Sequence, residues 1–469
     1  MTDSAVAESC RLTVRAPSVS IDLAVPADVP VADLLPTLLR YVGEEAEEAG
    51  LDHAGWVLQR LGDAPLDEET TLARAGLADG AVLYLRPHTE ALPEARLDDL
   101  VDGIAETVGR RLRTWSPGAA RGLLVGTAVA TVATALVLVF WPGVTTSSGA
   151  SRAACAAVVG LLLLAGAGSA SRAVGDRLSA TALGLLVAPC LALVGWVLPG
   201  GDLTGPDAEQ VAGARLLAAG AAGAGGAVLA LAATAVGAPA LLATAMVAVA
   251  TAIAGALMGY TGLDVPAAVA LVATVIVLAA GAVAPFAFKL AGMRMPALPS
   301  TAGQLQEGID PYVGDEVAER TELAGRWVTA LFAATGTIAA AALVVLAEKP
   351  NLPEVLTGLA LSLLLLLHSR GLVHIGQRLT LALPGTLGLL LMARAWAFDS
   401  GADGRVVVFG VLLAAAAGLV VASWTLPGRR VLPYWGRAAE LAHTGLAVAL
   451  LPFTLWVAGL FGWLRGLFG

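Results

Sequence analysis

The chain has 469 residues, 57% of them hydrophobic, and its mean hydropathy of +0.78 is typical of a protein that crosses a membrane many times. The net charge of −9 is unevenly placed, because residues 1–120 hold 21 acidic and 10 basic side chains whereas the remainder holds 16 and 18. An acidic N-terminal region excludes a nucleic-acid partner there, since contact with a phosphate backbone needs basic side chains.

The N-terminal region begins with two predicted strands and a helix. Its first residues, MTDSAVAESC, lack a basic segment followed by an apolar core, so we expect no signal peptide, and the region should stay on the side where it is synthesised. Apolar and polar residues alternate over Leu12–Ala16 and Val19–Val25, as in half-buried strands. A helix is predicted over Ala32–Ala49, provided that Pro36 lies close to its start.

Two further strands, at Trp56–Leu61 and Ala81–Arg86, complete the predicted order of elements. This order and the closing sequence TLARAGLADGAVLYLRP resemble the ubiquitin fold, a β-grasp domain, which we assign to residues 1–88. The alternative is an unrelated small α/β domain. Ubiquitin-type conjugation is not implied, because the last strand runs into Pro87 and His88 rather than into a free Gly-Gly terminus.

Residues 89–121 form a predicted connector that contains one amphipathic segment. The apolar positions that share one face are Leu97, Leu100, Val101, Ile104, Val108 and Leu112. Such a face must be buried against another surface. Packing on its own domain or on the membrane is one possibility, and packing on a helix of a partner protein is the other.

Eleven apolar segments of about membrane-spanning length follow, within residues 122–469. They lie at Leu123–Trp141, Ala153–Ala170, Ser179–Leu198, Leu216–Val236, Ala240–Gly259, Val265–Ala284, Trp327–Ala347, Val355–His368, Thr380–Phe398, Val406–Trp424 and Leu441–Phe461. Only Gly237, Ala238 and Pro239 separate the fourth from the fifth, and merging these two would give ten. A long run of such segments predicts an all-α membrane bundle, because backbone groups in lipid must be paired within each helix.

Basic residues predict the topology of the bundle. With eleven spans and the N-terminus inside, fifteen Arg and Lys side chains fall on inner flanks and loops, against six on outer ones. The sequence therefore predicts a multi-pass protein of the plasma membrane with a cytoplasmic N-terminus and an extracytoplasmic C-terminus.

The longest internal loop, residues 288–326, is cytoplasmic in this topology. Pro296 and Pro299 disfavour helix in its first part, whereas Val313–Leu323 could form a short charged helix. A loop of this length is more often functional than idle.

The sequence contains none of the motifs that would predict an enzyme. It has no GxxxxGK[ST], no HExxH and no GxSxG, and its three cysteines are scattered. His368 and His374 are six positions apart, which is not the spacing of a helical metal site. No catalytic residue, cofactor site or metal site is predicted.

The predicted spans also lack the charged centres that are typical of transporters. Glycines of the Gly220–Gly226 run, and Gly255 with Gly259, would instead allow helices to approach closely.

The whole arrangement resembles the EccD family, the polytopic membrane component of type VII (ESX) secretion systems. The local matches are VPVADLLPTLL and GLADGAVLYLRP in the head, MPALPSTAGQL in the loop, and the tail PYWGRAAELAHTGLAVALLPFTLWVAGLFGWLRG. The architecture carries the resemblance, since no single motif would suffice.

The resemblance implies a non-enzymatic scaffold. Two copies would surround a wide, lipid-filled vestibule and join the ATPase EccC and the components EccB and EccE, whose cytoplasmic parts contact the ubiquitin-like domain and the connector. On this sequence the implied contact residues are Leu97, Leu100, Val101, Ile104 and Val108 of the connector and Pro299, Gln304, Leu305 and Asp310 of the loop. A secondary transporter with a regulatory ubiquitin-like head is the alternative, and a membrane enzyme is a more distant one.

Overall fold

The computed structural model describes residues 9–16, 19–42, 55–61, 63–77, 79–88, 117–140, 148–293, 314–348, 351–425 and 433–468. Two compact units, Met1–Ser116 and Pro117–Gly469, make up the chain. The first contains the sheet, and the second contains the membrane helices.

The described part of the first unit contains a four-stranded mixed sheet and one helix, in agreement with the sequence. Its elements are β1 (Ser9–Arg15), β2 (Ser20–Pro26), α1 (Val31–Val42), β3 (Trp56–Gln59) and β4 (Ala81–Pro87). The strand order is β2-β1-β4-β3, in which the first and last strands are parallel neighbours at the centre and each pairs antiparallel with an edge strand. This is the ubiquitin-like arrangement that the order of elements predicted.

The core of this unit lies between α1 and one face of the sheet. Val14, Leu58 and Leu83 are at most 1% exposed, and Leu38 of α1 packs in the same cluster. Pro36 lies inside α1, five residues after its first residue and therefore beyond the first turn in which we expected it. The predicted extension of this helix to Ala49 lies outside the described residues beyond Val42.

Eleven helices of the described part are long and apolar enough to cross a membrane, in agreement with the sequence. They are α2 (Pro117–Phe140), α3 (Gly149–Val174), α4 (Arg177–Val197), α5 (Ala208–Thr234), α6 (Ala238–Thr261), α7 (Val265–Leu290), α8 (Gly314–Leu346), α9 (Leu352–Ser369), α10 (Ile375–Asp399), α11 (Gly401–Thr425) and α12 (Pro433–Val457). A shorter helix, α13 (Leu460–Phe468), follows them.

Several bounds differ from the predicted ones because polar residues extend the helices beyond their apolar segments. Helix α2 begins at Pro117 rather than at Leu123, and the charged stretch expected near Val313–Leu323 forms the first turns of α8 instead of a separate helix. The eleventh span ends at Val457, short of Phe461, because the chain turns at Gly459, whose φ of 75° favours glycine.

The largest buried cluster joins α6, α7, α8, α9, α10 and α12. A second one joins α3, α4, α5 and α6. Helices α2 and α11 lie at the periphery, because α2 has no buried residue and Val408 is the only buried residue of α11. Among the described residues, the bundle thus has a packed centre and two spanning helices that are little buried by the others.

Glycines allow α5 and α6 to approach closely, as the sequence indicated. A Cβ atom at Gly220 would overlap the backbone of Ala248 and Ala252, and one at Gly255 would overlap the backbone of Leu217. The expected role of Gly259 is wrong, because a Cβ atom there would meet nothing within 4 Å. Packing of small residues is a main source of helix association in lipid, so the close contact between α5 and α6 fixes part of the bundle.

Candidate functional site

All nine contact residues implied by the sequence lie outside the described residues. Leu97, Leu100, Val101, Ile104 and Val108 fall in residues 89–116, and Pro299, Gln304, Leu305 and Asp310 fall in residues 294–313. Their role as a partner interface therefore stays a prediction.

The described membrane unit contains a groove of about 1380 Å³ between α6, α8 and the start of α10. We call it the α6–α8–α10 groove. Its wall is lined by small and apolar side chains, including Ala243, Val247 and Ala333. Charged and polar groups line the end at which the three helices begin: Glu322, Arg326, His374 and Gln377. The groove is thus apolar along its length and polar at one end.

Two contacts fix the polar end of this groove. Arg326 Nη2 donates to Glu322 Oε1 at 2.6 Å within α8. Gln377, only 7% exposed, donates from Nε2 to the carbonyl oxygen of Gly325 at 3.3 Å and so ties the start of α10 to α8. Because the ion pair is largely exposed, it contributes at most about 1 kcal/mol to stability. The Arg326 side chain remains 64% exposed in spite of this pair.

A second cavity, of about 820 Å³, is lined by three imidazoles, those of His368, His374 and His443. The rings of His368 and His443 have centroids 5.6 Å apart, and His368 also makes an edge contact of 5.5 Å with Phe332. No local spacing in the sequence connects His368 of α9 with His443 of α12. Arg370 and Glu440 also line this cavity, so it carries charges of both signs.

These cavities provide polar groups for binding but no recognisable catalytic set. No group of three or more His, Cys, Asp or Glu side chains that could hold a metal ion occurs in the part of the chain that the structure describes.

A charged contact joins the start of α2 to the turn between α3 and α4. Arg121 Nη2 lies 2.6 Å from Asp176 Oδ2, and Asp176 Oδ1 accepts the backbone N–H groups of Leu178 and Ser179 as the N-cap of α4. The hydrogen bonds from Ser179, followed by Arg121, hold the pKa of Asp176 well below its usual range. This contact anchors α2, which is otherwise weakly packed.

Comparisons with known proteins agree with this architecture. The first unit matches, over residues 9–85, the family model described as WXG100 protein secretion system (Wss), protein YukD. The chain is 29% identical with the ESX-4 secretion system protein eccD4 of Mycobacterium tuberculosis, strain H37Rv, over 474 residues that cover 97% of both chains. It is also 29% identical with the ESX-3 secretion system protein EccD3 of the same strain over 180 residues, or 36% of each chain.

Two solved structures share the fold. Protomer 1 of the ESX-3 core complex has a TM-score of 0.55 at 19% identity, with 97% of this chain and 99% of that chain covered. A chain of the MycP5-free ESX-5 inner membrane complex, State II, has a TM-score of 0.56 at 21% identity, with 88% and 99% covered. Since the family model of the EccD-like transmembrane domain matches residues 120–467, about three quarters of the chain, this multi-pass membrane protein belongs to the EccD family.

Proposed function

We propose that this chain is a non-enzymatic scaffold subunit of an ESX protein secretion complex in the plasma membrane. Two copies associate around a lipid-filled vestibule and hold an EccC-like ATPase together with EccB-like and EccE-like subunits. The observation that carries the proposal is the family match over residues 120–467, together with a similarity to eccD4 that extends over 97% of both chains.

The chemistry of the membrane unit supports a structural role. No charged residue is buried within the described parts of the eleven spanning helices, where the buried polar side chains are Thr, Ser and Gln. Transport of ions or polar solutes usually requires ionisable groups within the bilayer. A scaffold has no such requirement, and it obtains energy from the ATPase to which it is attached.

The free surfaces of the bundle offer room for assembly. Within the described residues, α2 has no buried side chain and α11 has one, although Val129, Val132 and Leu136 of α2 pack against the second cluster. Lipid can cover such helices without cost, but the same surfaces are available to a second copy or to the single helix of another subunit.

Contacts with the cytoplasmic parts of other subunits are proposed for the connector and for the loop before α8. We propose that Leu100 and Ile104, with their neighbours on the connector face, pack on a cytoplasmic partner, and that Pro299 to Asp310 form a second contact. This assignment requires the N-terminus in the cytoplasm, and an eleven-span bundle then places the C-terminus outside. Fifteen against six basic residues on the two sides support that orientation.

Purification from native membranes in a mild detergent tests the proposal. A scaffold is recovered with an ATPase and smaller membrane proteins in fixed ratio, and with two copies of itself per unit. The double variant Leu100→Asp, Ile104→Asp should insert normally but lose co-purifying partners, whereas Asp99→Asn on the opposite face of the connector should not.

Recovery as a lone protein that performs saturable, gradient-driven solute uptake would overturn the scaffold role in favour of a transporter. Turnover of any substrate by the isolated subunit would contradict its non-enzymatic nature. Both chain ends accessible to reagents on one side of the membrane would contradict the proposed topology.

A further inference from the structure

The α6–α8–α10 groove has the polarity of a single membrane lipid. Its wall runs along α6 and α8, and α10 contributes only its start, at Gly376 and Gln377. The charged side chains, Glu322 and Arg326, are gathered at one end with His374. The α6 wall from Ala238 to Val247 is about 14 Å long at 1.5 Å per residue, which is close to one half of the roughly 30 Å hydrocarbon core. The groove therefore matches the depth of one leaflet.

Water does not suit the apolar part of the groove. The hydroxyl groups that line it already donate to carbonyl oxygens of their own helices: Thr244 to Ala240 at 2.9 Å, Thr329 to Gly325 at 2.9 Å and Thr337 to Ala333 at 2.8 Å. The other lining groups there are mostly Ala and Val. A water molecule needs two to four polar partners, so a hydrocarbon chain is the better occupant.

The volume also favours a long-chain ligand. At about 1380 Å³ the groove is larger than the roughly 300–1,000 Å³ of ordinary small-molecule pockets. Most of its lining residues lie on α6 and α8, which are long and apolar enough to cross a membrane, and this placement suits an occupant from the lipid phase.

The charged end can bind a phosphate. Arg326 uses Nη2 for Glu322, and 64% of its side chain remains exposed, so other guanidinium N–H groups are accessible. A guanidinium matches two phosphate oxygens with two parallel hydrogen bonds. His374, at the start of α10, lines the same end and adds an imidazole donor.

We propose that the groove binds one phospholipid, with an acyl chain along α6 and α8 and with the phosphate on Arg326 and His374. This site lies within one copy of the chain and does not depend on the proposed assembly of subunits. A lipid held there would fill the space between α6, α8 and the start of α10.

Native mass spectrometry of the full-length protein tests the proposal. The protein is purified in a mild detergent, stripped of loosely bound lipid and titrated with phosphatidylglycerol. We expect one phospholipid to remain bound to the wild-type protein after the others have dissociated. Ala333→Trp, which fills the groove, should lower the retained fraction at least tenfold, and Arg326→Gln should lower it several-fold.

Matched controls separate the groove from the general surface. Ala416→Trp introduces the same ring on the exposed face of α11, and Arg437→Gln removes an exposed cation at the start of α12. Both should retain the lipid as the wild type does. If Ala333→Trp cannot be purified, Thr337→Phe fills the groove from an exposed position. Retention of the tightly bound lipid by the groove-filling variant, or equal loss in the controls, would overturn the proposal.

Discussion

Thr274 and Thr454 form a buried hydrogen bond between α7 and α12, with 2.8 Å between their hydroxyl oxygens. They lie 180 positions apart, and each is at most 2% exposed. Because the hydroxyl group of Thr454 donates to the carbonyl oxygen of Leu450 at 2.7 Å, Thr274 is the donor of the pair. This contact joins the last spanning helix to the centre of the bundle.

Replacing either threonine of this pair by valine should destabilise the membrane unit. Interhelical hydrogen bonds in membrane proteins contribute about 0.6 kcal/mol on average and up to about 1.7 kcal/mol. Thermal unfolding in detergent, followed by tryptophan fluorescence, should show a lower Tm for Thr274→Val and Thr454→Val. The double variant should lower the Tm by less than the sum of the two single decreases. Thr131→Val is the control, because the hydroxyl group of Thr131 donates to the carbonyl oxygen of Thr127 within the exposed helix α2. Equal decreases of the Tm in all three single variants would contradict a stabilising hydrogen bond between Thr274 and Thr454.

Gly220→Ala should also lower the Tm, because the added methyl group would force α5 away from α6. Such overpacking typically costs about 1–3 kcal/mol. Gly225→Ala on the same helix has open space around its Cβ position. That substitution should be neutral or stabilising, since alanine is the better helix former by up to about 1 kcal/mol. If both variants changed the Tm in the same direction, α5 and α6 would not be held together by this close contact.

Asp176→Asn should weaken the bundle in a pH-dependent way. The folded-state pKa of Asp176 lies below its unfolded value, so its charge contributes stability above the unfolded pKa of about 3.9. That contribution is lost as pH falls through the lower folded-state pKa. At pH 7 the variant should therefore have a lower Tm than the wild type, and the difference should shrink below about pH 4.

Asparagine keeps the N-cap acceptor at this position, so the measurement isolates the charge. Asp207→Asn is a suitable control, because Asp207 precedes α5 without a side-chain capping bond. A pH-independent loss in Asp176→Asn would assign the effect to packing rather than to Arg121.

Cys10 should react slowly with maleimide as long as the ubiquitin-like unit is folded. Its side chain is 6% exposed. Burial, followed by the charge of Asp79, raises the pKa of its thiol. The test protein carries Cys155→Ala and Cys190→Ala, so that Cys10 is labelled. The reference protein carries Arg11→Cys together with Cys10→Ala, Cys155→Ala and Cys190→Ala, so that the cysteine at position 11 is labelled. Labelling of Cys10 should be at least about a hundredfold slower than labelling at position 11. Similar rates would mean that the sheet opens easily at β1.

Much of the fold could be predicted from local patterns. Alternation of period two located β1 and β2, and apolar segments located all eleven spanning helices, because lipid demands that each helix satisfy its own backbone. Helix ends were less predictable. Polar turns that extend α2 and α8 beyond the bilayer have no hydrophobic signal, and the stop at Gly459 depends on a single backbone angle.

The number of crossings, the ubiquitin-like head and the lack of catalytic motifs were determined by the sequence alone, because each depends on the chemistry of neighbouring residues. The pairing of His368 with His443, the bond between Thr274 and Thr454 and the α6–α8–α10 groove were decided only by the tertiary structure. In a lipid environment, helices gain little from hydrophobicity when they associate, so their neighbours are chosen by shape and by a few hydrogen bonds. Those contacts join residues far apart in the chain, and no local pattern records them.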